Sequence, residues 1–178
     1  MIMKKILAFA GSNSKQSINK QLTTYAASLV KDVKVTILDL NDFELPIFGV
    51  DLEREKGVPE NAHKFLSFIK ASDGIIISLP ENNGAYSAVF KNLFDWMSRI
   101  EKNTFFGKPM LLMATSDGKR GAQTVLGMAE SRFPRHDANI IETFSLPLFY
   151  DNFSNGKIVN PDLDEELKSK VKLFNEVL

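Results

Sequence analysis

The chain has 178 residues, 44% hydrophobic and 25% charged, with 22 basic residues balanced by 22 acidic ones. That size suits one domain, 1–178, with a sizeable core, and the zero net charge leaves no global field to draw in nucleic acid or an anionic membrane. Cysteine is absent, which excludes disulfides, thiolate catalysis and cysteine metal sites and fits a reducing, cytoplasmic setting.

The opening MIMKKILAFAG has basic residues before an apolar run, as a leader does. The run is too short, however, and leads into a Gly/Ser loop, so residues 5–10 read as a first strand. Residues 11–17 are a loop of small polar residues. Residues 18–31 carry Leu22, Tyr25, Ala26 and Leu29 at helical spacing. Val33, Val35 and Ile37 alternate along a second strand, Val33–Leu38. Residues 41–56 show no sustained period and contain Pro46 and Gly49, which predicts a long loop. Residues 59–71 suit a helix with Pro59 near its first position and Ala62, Phe65, Leu66 and Ile69 on one face.

Gly74–Leu79, GIIISL, has the length and β-branched content of a buried strand. Pro80 ends the sheet pairing, because it has no N–H to donate. Glu81, Asn82, Asn83 and Gly84 read as a tight loop. Ser87 is the expected N-cap of a helix whose apolar face holds Val89, Phe90, Leu93, Phe94, Met97 and Ile100. Pro109–Thr115 is a fourth strand, residues 116–121 a polar loop, 122–131 a short helix and 139–144 a fifth strand. Residues 145–160 read as irregular. Asp162 is the expected cap of a last helix on which Leu163, Leu167, Val171, Phe174 and Leu178 line up. No run is long enough to span a bilayer as a helix.

Strands alternate with helices, which implies parallel pairing, right-handed crossovers and helices on both faces. The expected fold is an α/β three-layer sandwich on a five-stranded parallel sheet in the flavodoxin-like order 2-1-3-4-5. Its loops after strands one, three and four would converge at one sheet edge, where ligands bind in such folds. A strand–loop–helix start such as 11–19 favours a phosphate through free backbone N–H groups. It lacks the G-K-[ST] ending of a nucleoside-triphosphate loop and the G-x-G-x-x-G dinucleotide pattern. A plain polar turn with an N-cap is the competing reading of that loop.

Three segments carry a resemblance. Pro80, Glu81, Asn83, Lys91, Asn92, Asp95 and Trp96 match the pattern P-E-Y-N-x-S-x-P-x-x-L-K-N-x-x-D-W, with Asn82 in place of Tyr and Ser87 in place of the second Pro. Gly11, Ser12, Ser17 and Asn19 match G-S-x-R-x-x-S-x-N, with Ser14 in place of Arg and Lys15 beside it. Ser116, Gly118 and Gly121 match S-P-G-x-x-G-G, with Asp117 in place of Pro. The chain thus resembles the NADPH-dependent FMN reductase family, which includes flavin, quinone, azo-dye and chromate reductases.

The resemblance implies FMN as cofactor and NAD(P)H as co-substrate. Hydride would pass by way of the flavin N5 to a quinone, flavin, azo compound or similar small-molecule acceptor. The implied cofactor residues are Gly11, Ser12, Ser14, Ser17, Ile18 and Asn19 for the phosphate, with Pro80, Glu81, Asn82, Asn83, Ser116, Asp117 and Gly118 around the ring. No side chain is implied as catalytic, because the flavin carries the chemistry. Glu81 reads as a structural or hydrogen-bonding group, Trp96 as core packing against the sheet, and Asp95 as support for its helix or an oligomer contact. Lys119 or Arg120 could attract the 2′-phosphate of NADPH or be an ordinary solvated pair. His63 and His136 have no companion ligands in sequence, so no metal is expected. Phe105, Phe106, Phe144 and Phe149 could be core, subunit contact or substrate wall. A homodimer or homotetramer is the implied assembly. A flavodoxin-type electron carrier and a flavodoxin-like binding module without turnover are the alternatives.

Overall fold

The computed structural model describes residues 3–178; Met1 and Ile2, the start of the segment read as a strand and not a leader, lie outside the described residues. Five strands, β1 (Lys4–Ala10), β2 (Val33–Leu38), β3 (Gly74–Leu79), β4 (Pro109–Thr115) and β5 (Asn139–Leu146), form one parallel sheet in the order β2-β1-β3-β4-β5. Side chains alternate across each strand. Leu7, Phe9, Ile75, Ile77, Met110 and Leu112 therefore face one layer, and Ile6, Ala8, Ile76, Leu111, Met113 and Phe144 the other. The helices α3 (Glu60–Ala71), α4 (Ala88–Ile100) and α5 (Gln123–Arg132) cover the first face. The helices α1 (Ile18–Leu29) and α7 (Pro161–Glu176) cover the second. The expected three-layer sandwich and strand order are both present.

The differences from the sequence reading have local causes. Residues 41–56 are not all loop: a 3₁₀ turn, Leu40–Asp42, is followed by the helix α2 (Val50–Lys56). No residue of α2 is buried, so it has no apolar stripe to reveal it. Its acids come first and its bases last, which suits the helix dipole. Helix α1 ends at Leu29, two residues before the expected end, because Val30 is extended. Strand β5 runs on to Leu146 because Ser145 and Leu146 pair with Ala114 and Thr115. The last helix is capped by Asn160, whose side-chain oxygen accepts from the amides of Asp162 and Leu163, with Pro161 in its first turn; Asp162 lies inside the helix. The stretch 145–160 holds a short helix, α6 (Phe149–Asn152), and a hairpin of β6 (Phe153–Ser154) and β7 (Lys157–Ile158). Asn155-Gly156 turns that hairpin with φ of 51° and 76°, the combination that Asn-Gly favours.

Trp96 is fully buried, but it serves a loop more than the sheet. Its indole N–H donates to the Pro46 carbonyl at 2.8 Å, and its ring meets Phe48 edge-on at 5.0 Å. Asn92, one turn earlier, accepts from the Phe48 amide at 2.8 Å and donates to the Pro46 carbonyl at 3.0 Å. Lys91 and Asp95 pair on the surface at 2.7 Å. The K-N-x-x-D-W run is thus a clamp that fastens the segment before α2 onto α4. Removing the clamping amide in Asn92→Ala should cost about 2 kcal/mol of stability, the worth of two or three partly buried hydrogen bonds. Urea denaturation of the two proteins measures it, and an unchanged midpoint would refute the clamp.

Candidate functional site: a polar cradle at the sheet edge

The loops after β1, β3 and β4 meet at one edge of the sheet around a cavity of about 400 Å³, within the usual range for small-molecule sites. Its base is a buried rail of hydrogen bonds. Asn19, on the first turn of α1, accepts from the Ser78 hydroxyl at 2.6 Å and from the Thr115 amide at 3.2 Å. Its NH₂ group donates to the Thr115 carbonyl at 3.2 Å. Thr115 in turn donates from its hydroxyl to the Leu146 carbonyl at 2.7 Å. One carboxamide therefore holds the ends of β3 and β4 together, and Thr115 extends the rail to β5. The Asn19 side chain is occupied by this work; what it leaves toward the cavity is its backbone N–H.

The first loop is built to donate. Ser12 accepts from the Ser14 amide, Ser14 from the Gln16 amide and Ser17, the N-cap of α1, from the Lys20 amide. Each hydroxyl oxygen is thus already an acceptor, and each O–H proton is left for a ligand. Ile18 and Asn19 hold the first two helical positions, whose amides have no carbonyl partner within the helix. Ser12, Ser14, Ser17, Ile18 and Asn19 all line the cavity, joined by Asn13 and Gln16. Gly11 does not. It is buried behind the loop, where a Cβ would lie 2.8 Å from Leu79 Cδ2 and 3.2 Å from Phe90 Cβ. Its carbonyl accepts from Ser87, which also caps α4 at the Phe90 amide. The change of Pro to Ser at position 87 is thereby absorbed as a cap.

The second loop is a tight hairpin. Asn82 and Ala85 exchange backbone hydrogen bonds at 3.0 and 3.1 Å, and Asn83 and Gly84 turn the chain with φ of 52° and 74°. Pro80, Glu81 and Asn82 line the cavity, whereas Asn83 is at the exposed tip. The Glu81 carboxylate accepts from the amides of Thr124 at 2.9 Å and Val125 at 3.1 Å. It caps α5 from another loop, because Ala122 at the cap position of α5 has no side-chain acceptor. The second and third loops are locked together by that carboxylate.

In the third loop, Ser116 and Asp117 line the cavity and Gly118 does not. The Ser116 and Gly118 carbonyls accept from the amides of Phe149 and Leu148, so the loop is tied to the start of α6. Gly121 has φ of 56°, and a Cβ there would lie 2.4 Å from Ser145 Oγ and 2.8 Å from the Pro147 nitrogen; only glycine fits. Lys119 and Arg120 are not part of the cavity lining, and Arg120 donates to the Thr124 hydroxyl at 3.1 Å. The lining contains no Lys or Arg, and Lys15 is not part of it.

Sequence reasoning missed Tyr150, which is 73% exposed and lines the cavity from α6. Its only signal was its place after β5, in a stretch with no period. Thr115 and Ser87 also line the cavity. Phe105, Phe144 and Phe149 are core, and Phe106 packs half-buried against it. His136 is buried, with its Nδ1 donating to the Lys102 carbonyl at 2.9 Å, and His63 is exposed on α3. No helix among the described residues is long and apolar enough to cross a membrane.

The donor set fits FMN: hydroxyl protons and helix-start amides for a phosphate, and a polar, open-sided space beyond it for a flat ring. Comparison with known proteins agrees. Residues 4–151 match the NADPH-dependent FMN reductase family. A 2-hydroxy-1,4-benzoquinone reductase of a Burkholderia species is 29% identical over 170 residues, covering 93% of this chain and 91% of that protein. A probable NADPH:quinone oxidoreductase 2 of Oryza sativa subsp. japonica is 25% identical over 172 residues, covering 92% and 83%. Among solved structures, the flavoenzyme NAD(P)H:(acceptor) oxidoreductase FerB of Paracoccus denitrificans superposes with a TM-score of 0.79 at 23% identity over 98% of this chain and 96% of that one.

Glu81→Ala should destabilise the protein by about 1 kcal/mol, the usual worth of a helix cap. Amide hydrogen exchange should speed up at Thr124 and Val125 in particular. Unchanged exchange there would show that α5 is capped some other way.

Proposed function

The chain belongs to the NADPH-dependent FMN reductase family, and from that membership we propose which small molecules it reduces and which residues hold its cofactor. It is an FMN-dependent NAD(P)H oxidoreductase. When bound, the flavin would supply the redox chemistry, hydride transfer between nicotinamide and acceptor. The protein's own residues bind and orient. The free O–H protons of Ser12, Ser14 and Ser17 and the amides of Ile18 and Asn19 hold the phosphate. Pro80, Glu81 and Asn82 on one side and Ser116 and Asp117 on the other border the ring. Gly11, Asn83 and Gly118 shape these loops without lining the cavity. A cradle without a cation grips the phosphate through neutral donors and the helix dipole alone.

The acceptor we propose is a quinone or a similar flat, reducible compound. Support comes from the quinones named for the relatives and from a cradle that stays open beside Asn82, where the family's pattern has a larger Tyr. The observation that carries the reading is the convergence of three loops on one cavity lined by unengaged donor protons. The protein works as a single domain in the cytoplasm, where nicotinamide nucleotides are at hand, and as a homodimer or homotetramer. Ile47, 78% exposed, and Val50 offer apolar surface for that association.

Reconstitution with FMN followed by visible absorption, and then NADPH oxidation with menadione, tests the function. Bound flavin and parallel-line, ping-pong kinetics are expected. A flavin-loaded protein without turnover would make it an electron carrier, and one that takes up no FMN would make it a binding module. Ser14→Arg restores the charge found in the family's pattern and should tighten FMN about tenfold through a charge-assisted hydrogen bond, as read by quenching of flavin fluorescence.

A further inference from the structure

Tyr150 is the one aromatic residue that the fold leaves uncovered. It is 73% exposed, while every other phenylalanine, tyrosine and tryptophan among the described residues is buried or half-buried. A lone exposed apolar group is ordinary on a protein surface. This one, however, stands at the cradle. Among the described residues it is the only aromatic side chain in a lining otherwise rich in hydroxyl and amide groups.

Its position is fixed by its neighbours. Phe149 is sunk in the core beneath the second sheet face, stacked on Phe153 at 4.7 Å. The Tyr150 ring meets Phe149 edge-on, with centroids 5.6 Å apart and planes at 88°. Leu148 has φ of 47° and ψ of 58°, a left-handed conformation that a bulky side chain disfavours. Its amide donates to the Gly118 carbonyl at 3.1 Å, and its carbonyl accepts from the amides of Asp151 and Asn152. The Asn152 side chain closes the turn on the Pro147 carbonyl at 2.8 Å. Strain of this kind persists only where the surroundings over-determine it, and it concentrates at ligand sites. Here the turn brings Tyr150 to the same cavity as Ser116 and Asp117, whose loop receives the Phe149 amide at 3.0 Å.

A flat ring system bound in a polar cavity gains from an apolar surface beside it. In the family's pattern the second loop carries a Tyr that could offer one; this chain has Asn82. Tyr25, Tyr86 and Trp96, the other electron-rich rings of the chain, do not line the cavity. Tyr150 is thus the one aromatic surface available there, presented from the side of the third loop.

We propose that Tyr150 is an aromatic contact of the bound flavin, supplied by α6 in place of the ring absent at position 82. The assignment rests on the function proposed above.

Fluorescence and affinity together test it. Tyrosine and tryptophan quench flavin emission by passing an electron to the excited ring at contact distance, whereas phenylalanine packs as well but does not quench. Affinity for FMN, read by isothermal titration calorimetry, should fall about tenfold in Tyr150→Ala and return in Tyr150→Phe. Emission of the bound flavin should rise several-fold in both of these variants and stay at or below the wild-type level in Tyr150→Trp. Emission that remains at the wild-type level in Tyr150→Phe overturns the proposal, while FMN uptake by the wild type leaves the function standing. Unchanged affinity and emission with a raised KM for menadione in Tyr150→Ala also overturns it, and makes Tyr150 an acceptor contact. A wild-type protein that takes up no FMN refutes the function and the proposal together. Circular-dichroism melts of the variants, expected to match the wild type because the ring is mostly exposed, exclude misfolding as the cause.

Discussion

A single buried carboxamide underlies the site. Parallel strands β3 and β4 end at the same edge, where the sheet's own ladder stops and the chain must leave in two directions. Backbone groups at such an end need partners, because burial without a hydrogen bond is costly. Asn19 meets that need with both halves of its amide, taking Ser78 and the Thr115 N–H on its oxygen and giving its NH₂ to the Thr115 carbonyl. Since Asn19 is also in the first turn of α1, the same contact fixes where that helix starts. The start of α1 and the ends of β3 and β4, from which the three loops of the cradle spring, are thereby held to one another by one side chain.

The polar residues of the cradle divide into those engaged with protein and those left for a ligand. Glu81, Ser87, Thr115 and the Asn19 side chain belong to the first group: each is occupied in capping a helix or fixing a strand end. The seryl protons of the first loop and the opening amides of α1 belong to the second. On the reading proposed above, this division would let a loop made of small hydroxyl residues hold a phosphorylated cofactor without a basic side chain. The oxygens are pinned by main-chain donors, so the hydroxyls are oriented before the ligand arrives, and little ordering remains to oppose binding.

The pattern that marks the family proves to be heterogeneous in purpose. Pro80 and Glu81 shape the cavity, but Asn92 and Trp96 clamp a segment remote from it, and Lys91 with Asp95 is a surface pair. Matched spacing therefore identified the right fold and cofactor while saying little about what each residue touches. The unmatched positions are equally instructive. Ser87 replaces a proline with a working N-cap, whereas Asn82 leaves open the place where the pattern has an aromatic ring.

The sequence by itself determined the sheet, its order and the three loops that line the site. Strand and helix periods and Gly, Pro and Asn punctuation are local properties, and the order follows from alternation under right-handed crossovers. It left α2 hidden because an exposed helix has no apolar stripe, and it placed the last cap at Asp162 because Asn160 and Asp162 are both plausible caps on composition alone. Only the tertiary structure decided that Glu81 caps a helix forty residues away, that Asn19 is a clamp, and that Tyr150 borders the cradle. Those relations join residues far apart in the chain, and packing, with no periodicity to announce it, brings them together.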